Sequence, residues 1–330
     1  LWKLGIYAKT EHNEAAPCQF EIAPLYAQSN IAVDQNQIIM DVLRQCAARH
    51  HLACLLHEKP FEHVNGSGKH NNWSLVSDDG VNLLNPGDTP HENIQFLLVL
   101  ACILKAVDTH ADLLRESAAD IGNDHRLGAN EAPPAIISIC MGNYLEDILL
   151  RLEKGDMGIK PTADAGALSV VNLAYVPKDT SDRNRTSPFA FTGNKFEFRM
   201  LGASESASTL NAIMATAVAD QLQQIAGRLE AGDKPIDVVR DLFTSHRRVI
   251  FNGNSYADAW REEAKRRGLV EYPTTVEAIE ALTTDKSIAL FERHGVLTRT
   301  EVLSRAIVRE DAYIKTLRIE ARTMVKMMHE

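Results

Sequence analysis

Lys195-Phe196-Glu197-Phe198-Arg199-Met200 is the stretch on which the fold reading turns. Charged and apolar residues alternate without a break, which is the period of a β-strand. Lys195, Glu197 and Arg199 share one face; Phe196, Phe198 and Met200 share the other. The plain reading is a strand of an antiparallel sheet with a solvated face and a packed face. The sharper reading is a polar face that lines a site, where a carboxylate holds a metal and cations hold phosphate.

Working outward, Gln19-Phe20-Glu21-Ile22-Ala23-Pro24-Leu25 also alternates, with Glu21 on one face and Phe20 and Ile22 on the other. Residues 52–56 are predicted as a buried strand, and further strands are predicted at Trp73–Val76 and Ala135–Cys140. Asp34 is placed to cap a helix running to about His50, with Ile38, Ile39, Val42, Leu43 and Cys46 on its buried stripe. Residues 92–120 read as helices. The apolar run Ile94–Val107 is too short to span a bilayer and contains Gln95 and Lys105, so it predicts a buried helix. Beyond Ser204 the chain is mostly helical. It ends in a long helix from about Thr300, with Leu303, Ala306, Tyr313, Leu317, Met324 and Met327 near heptad spacing. Gly232-Asp233-Lys234-Pro235 suggests a boundary, giving regions 1–231 and 232–330.

A chain of 330 residues can bury a sizeable core. Its 45% hydrophobic and 24% charged content is that of a soluble globular protein. A net charge of −9 argues against nucleic acid or an anionic membrane as the main partner. Five cysteines without a CxxC pair fit reduced thiols and a cytoplasmic setting rather than a disulfide framework. The chain opens on Leu1-Trp2-Lys3 in a strand-like pattern, and the expectation is a piece of a longer polypeptide.

Asn65-Gly-Ser-Gly-Lys-His-Asn-Asn-Trp-Ser-Leu75 carries the most chemistry. Gly66 and Gly68 mark backbone that turns tightly or lets another group approach closely. The stretch is not a phosphate-cradling P-loop. That motif needs a glycine five residues before Gly68 and Ser or Thr after Lys69, where this chain has His63 and His70. It reads as a loop that delivers backbone groups and an imidazole to a small polar ligand or a metal. Glu14 and Glu21 frame the bend at Pro17; with His70 and Glu197 they make three acids and one histidine from three strand-like segments. Such a set suits Mg²⁺, or Mn²⁺ given the imidazole. Arg126, Arg185 and Arg199, beside polar loops or on the charged strand face, could neutralise phosphoryl oxygens or clamp a carboxylate.

The order of these blocks resembles glutamine synthetase, most closely its large type III form. The blocks are Asn13–Glu21, Lys59-Pro60-Phe61 before Asn65–Ser74, Asn123–Pro133, and Asp182–Pro188 with Lys195–Arg199. The resemblance implies an α+β fold, with a curved, largely antiparallel sheet backed by helices and a helical C-terminal extension. It implies that residues 1–231 are a catalytic domain cut short at its N-terminus. It implies two or more Mg²⁺ or Mn²⁺ ions per site, with Glu14 and Glu21 on one and His70 and Glu197 on another. Asn65, Gly66 and Arg126 then correspond to glutamate-binding residues, and Tyr26, Ser74 and Lys195 to nucleotide contacts. Glu131 corresponds to a flap base that takes a proton from ammonium, and Arg185 and Arg199 to phosphoryl-stabilising residues. The implied reaction is ATP-dependent ligation of ammonia to glutamate through γ-glutamyl phosphate, in a ring assembly expected to be a dodecamer. Asn72 and Ala190 depart from the family, standing where shorter members carry a histidine and an arginine. Two other readings are a ligase that joins glutamate to a larger amine and a non-catalytic assembly or regulatory relative. A chain lacking upstream strands is expected to lack synthetase activity alone and to expose the Leu303–Met327 stripe.

Overall fold

The computed structural model describes residues 1–155 and 185–330. Part of the polar block, Asp182 to Asn184, lies outside the described residues. In chain order the elements are β1 (Ala8–Asn13), β2 (Phe20–Pro24), α1 (Ser29–Arg49), β3 (Gly68–Trp73), α2 (Ile94–Thr109), α3 (Ala111–Glu116), α4 (Ile121–Arg126), β4 (Ile139–Cys140), α5 (Asn143–Glu153), β5 (Phe189–Phe191) and β6 (Phe196–Gly202). Helices α6 (Ser208–Glu230), α7 (Pro235–His246), α8 (Asp258–Arg266), α9 (Thr275–Ile279), α10 (Asp285–Arg293) and α11 (Arg299–His329) complete the chain. The class is α+β. β1 and β2 form an antiparallel pair; a second sheet runs β3-β6-β5-β4, antiparallel except for β4 against β5.

The core forms where apolar faces from the sheet and the helices meet. α2 is apolar on nearly every side, from Phe96 to Val107, and such a helix must be buried all round. It packs on α6 and α7, whose Val218, Val238, Val239 and Phe243 are each no more than 1% exposed. The sheet adds aromatic pairs, including Phe189 stacked on Phe196 at 4.6 Å between centroids. One continuous cluster joins residues on both sides of Gly232-Asp233-Lys234-Pro235. No described helix is long and apolar enough to cross a membrane.

Several expectations are corrected. β6 is buried on both faces, with Glu197 1% and Arg199 2% exposed, so the solvated-face reading of this strand is wrong. Its alternation is also broken. Lys69 pairs with Leu201 and Asn71 with Phe198, so Arg199 and Met200 together oppose His70. This bulge re-aims side chains where the pair passes the charged residues. The glycine-rich stretch is not a loop before a strand at Trp73–Val76; Gly68–Trp73 is itself β3. Residues 52–56 pair with no described strand, and Leu52 and Leu55 are exposed. The strand expected over 135–140 is confined to Ile139–Cys140. α1 starts at Ser29 and fully buries Ile39 and Met40, leaving Ile38 and Cys46 exposed. Trp2–Leu4 form a turn of 3₁₀ helix rather than a strand. α11 buries Val302 and Ala306; beyond them Leu317, Met324 and Met327 are exposed.

Candidate active site

Strand pairing assembles the first acidic group. β1 and β2 run antiparallel with His12 opposite Glu21, and Glu14 follows two residues after His12 on the same face. His12 Nε2 lies 2.6 Å from Glu14 Oε1 and 3.1 Å from Glu21 Oε2. One ligand atom from each of the three lies within 4.8 Å of the others. A hydrogen bond from Glu21 holds Glu14 below the usual carboxylate range, with His12 adding to this. Burial pushes Glu21 up, and the neighbouring Glu14 pushes it further. Two carboxylates held this close are a pair that a divalent cation would bind. The donor set of two carboxylates and an imidazole fits Mg²⁺ or Mn²⁺.

Glu14, Glu21, Asn65, Gly66, His70, Arg126 and Glu131 line one cleft of about 90 Å³. His70 Nδ1 is 3.0 Å from Glu197 Oε1, which brings Glu197 to the same cleft from the sheet side. Arg199 Nη1 is 3.5 Å from Glu197 Oε2, and its Nε and Nη2 have no hydrogen-bond partner among the described residues. Buried guanidinium donors without partners are costly, so they mark a place where an anion would be welcome.

Arg126, read from the sequence as lying beside a polar loop, is the last residue of α4 and is buried; Asp120 caps the start of this short helix by accepting from Gly122 N. Its Nη1 donates to Asn123 Oδ1 at 2.9 Å and Met200 O at 3.2 Å, and its Nη2 donates to Arg199 O at 3.4 Å. Burial lowers its pKa to about 10, leaving it charged at neutral pH. Gly66 and Gly68 serve this arginine. A Cβ on Gly68 would meet Arg126 Nη2 at 2.0 Å, and one on Gly66 would meet Glu58 O at 2.4 Å. Neither glycine has positive φ, so close approach, not a tight turn, requires them. Glu131 does sit on a turn, with Asn130 and Glu131 at φ 53° and 69°. Left-handed backbone at two successive non-glycine residues is strained, as functional turns often are. Glu131 Oε1 accepts from Arg185 Nη1 at 2.5 Å.

The nucleotide candidates are spread. Ser74 and Lys195 follow the Trp73–Phe196 pair at one end of the β3–β6 ladder, opposite the Gly68–Gly202 end beside Arg126. Ser74 Oγ donates to Asn82 Oδ1 at 2.7 Å, and Lys195 Nζ lies 3.5 Å from Asn194 Oδ1. Tyr26 stands in the β2–α1 connection, 99% exposed, and is not among the cleft-lining residues.

Four contributors were missed. His12 was legible from its spacing to Glu14 once the β1–β2 register was considered. Asn123, wholly buried, donates to Ala118 O and Met200 O and so seats Arg126. Glu58, 1% exposed, accepts from Ser204 N and Oγ at 2.7 Å and braces the glycine-rich segment. Tyr256 comes from the C-terminal part. Burial raises its phenol, and the charges of Arg199, Glu131 and Arg126 reach it. No local motif announces these three.

The fold is shared with a solved class of proteins. The ligand-free structure titled "Apo GmaS without ligand" superposes with a TM-score of 0.59 at 17% identity, covering 95% of this chain and 57% of that one. A GmaS complex with ADP gives 0.60 at 18% identity, covering 98% and 61%. The family model of the glutamine synthetase catalytic domain matches residues 1–118, and that of the glutamine synthetase C-terminal domain matches residues 235–330. The chain belongs to the glutamine synthetase family. It is 46% identical to the type-3 glutamine synthetase of Dictyostelium discoideum, over 99% of this chain and 46% of that protein. Glutamine synthetases of Butyrivibrio fibrisolvens (45%, over 100% and 48%) and Bacteroides fragilis (41%, over 98% and 46%) are also similar. The chain thus spans under half the length of these relatives.

Proposed function

We propose that this chain carries the catalytic machinery for ATP-dependent ligation of ammonia to glutamate, through γ-glutamyl phosphate. The convergence of Glu14, Glu21, His70 and Arg126 on one cleft, with the Glu197 carboxylate 3.0 Å behind His70, carries the reading. Arg126 would hold the glutamate α-carboxylate beside Asn65 and Gly66. Arg199 and Arg185 would neutralise the transferring phosphoryl group, a step that rests mainly on positioning and charge. Ammonium is not a nucleophile, so a base must deprotonate it. Glu131 sits at the cleft wall for that task and would close over the acyl phosphate to keep water out. Glu14, Glu21, His70 and Glu197 would hold Mg²⁺ or Mn²⁺, joined by His12; when bound, such ions supply charge for the phosphates and the acyl carbon. Ser74, Lys195 and Tyr26 are proposed as nucleotide contacts, with Tyr26 requiring a rearrangement or a neighbouring surface.

Ammonia is favoured over a larger amine because the relatives at 41–46% identity are named glutamine synthetases. The presence of Glu14, Glu21, His70, Arg126, Glu131, Glu197 and Arg199 at the positions that match the family's motifs argues against a non-catalytic relative. The division into 1–231 and 232–330 is proposed as functional rather than as two separate cores. A cytoplasmic homo-oligomeric ring, with the exposed stripe of α11 covered on assembly, completes the reading. The test is γ-glutamyl hydroxamate formation from glutamate, hydroxylamine and ATP with Mg²⁺ or Mn²⁺ by the full-length protein; a full-length protein that binds both substrates yet forms none refutes it.

A further inference from the structure

A second cavity, about 210 Å³, lies where α2, α6 and α10 meet, and it shares no lining residue with the candidate active site. Lys105 of α2 and Lys286 and Arg293 of α10 give it three cations, against one carboxylate, Asp220 of α6. Asp220 is already engaged. Its Oδ1 accepts from Arg293 and His294, and its Oδ2 from Gln221 and Gln224. Lys286 is held by Asp112 and Thr109 O, but Lys105 makes one hydrogen bond, to Gln224 Oε1 at 2.7 Å. Two buried lining groups are unanswered: Gln221 Oε1 and His110 Nδ1, on residues 1% and 3% exposed, have no hydrogen-bond partner among the described residues. Burial pulls His110 down to about 4, so it is neutral at pH 7.

We propose that this cavity binds inorganic phosphate as hydrogen phosphate. With Asp112, which holds Lys286, counted beside Asp220, three cations against two carboxylates leave a formal charge of +1 (3 − 2), the sign an oxyanion needs. The oxyanion takes the free donors of Lys105 and the outer edge of Arg293. Hydrogen phosphate keeps an O–H at neutral pH, which a short side-chain adjustment would offer to Gln221 Oε1, an acceptor facing no donor. The volume is below that of cavities holding drug-sized molecules, about 300–1,000 Å³, so a whole nucleotide is excluded. Occupancy would tie α10, in the segment matched by the C-terminal family model, to α2, in the segment matched by the catalytic one. Binding here requires no turnover, so it stands apart from the ligase reading.

The test is calorimetric titration with sodium phosphate at constant ionic strength, on the unaltered chain, Lys105→Gln and Arg185→Gln. The expected result is a dissociation constant below about 1 mM, weakened about tenfold or more by Lys105→Gln and unchanged by Arg185→Gln in the cleft. Sulfate, which lacks the O–H, and glycerol 3-phosphate, which has a bulky ester in its place, should each bind about tenfold more weakly. No phosphate binding up to about 10 mM, equal affinity for sulfate, or loss in Arg185→Gln but not in Lys105→Gln overturns the proposal. Should Lys105→Gln fail to fold, crystals of the unaltered protein soaked in phosphate decide. Tetrahedral density between Lys105 and Arg293 supports the site, and water alone refutes it.

Discussion

Gly68→Ala should damage the glutamate end of the cleft while leaving the nucleotide end alone. The new methyl would lie 2.0 Å from Arg126 Nη2 and 2.4 Å from Cζ. Ordinary contact needs about 3.5 Å, so the guanidinium must retreat by roughly 1.5 Å. That movement breaks the 3.4 Å bond to Arg199 O and strains the Nη1 bonds to Asn123 and Met200. The obstacle is the far end of a side chain, not backbone, so the stability cost should be that of an overpacked site, about 1–3 kcal/mol. The functional cost should be larger, because a misplacement of about 1 Å in a positioning group costs roughly 10²-fold. The assay is the glutamate and ATP dependence of γ-glutamyl hydroxamate formation by the full-length protein, paired with thermal unfolding. We expect kcat/KM for glutamate to fall by about two orders of magnitude with the KM for ATP little changed. Gly66→Ala, whose methyl would meet backbone at Glu58 O, should harm folding more. If Gly68→Ala keeps its glutamate KM and its melting temperature, Arg126 is not held by glycine contact and the argument fails.

Glu21→Gln should weaken Mn²⁺ binding about 10- to 100-fold, read by paramagnetic titration, and His12→Ala should weaken it less; unchanged affinity in both would exclude the β1–β2 pair as a metal site. Glu131→Ala should cut turnover far more than ATP affinity, and Tyr256→Phe should shift the pH profile of turnover; a Glu131→Ala enzyme at full rate removes that residue as base. Glu116, buried beside Arg309, is pushed up to about 7 by burial. Its folded pKa lies above its unfolded value, so the folded state holds the extra proton. Stability from this group is therefore full below about 4.5 and is lost as pH rises to about 7, by at most about 3 kcal/mol. Glu116→Gln should flatten the fall in melting temperature between pH 5 and 8; an unchanged slope would show that Glu116 does not titrate there.

The periodic elements were legible because burial imposes their period. Ile94–Val107 could only be a buried helix, and the alternation at 195–200 could only be a strand. What failed depended on partners distant in sequence. Nothing within residues 52–56 reveals that no strand pairs with them, and nothing in 195–200 reveals that β5 and β3 flank the strand on both sides. The acidic residues of the cleft could be named because their chemistry is unusual for a strand. Their supports, Asn123, Glu58 and Tyr256, could not. Each acts through backbone or charge reached across more than 50 residues: Asn123 reaches Met200 over 77 positions and Glu58 reaches Ser204 over 146.

The bulge opposite His70 makes the β3–β6 pair a measuring device. Arg126 is anchored to carbonyls of residues 199 and 200, Glu197 meets His70 across the pair, and Ser74 and Lys195 mark its far end. The spacing between these groups is thus counted in residues along a single strand. Gain or loss of one residue between Glu197 and Gly202 would move every later side chain to the opposite face. Point replacement can vary along β6 in an evolving lineage, but its length cannot, so length changes should collect in the connections outside this strand.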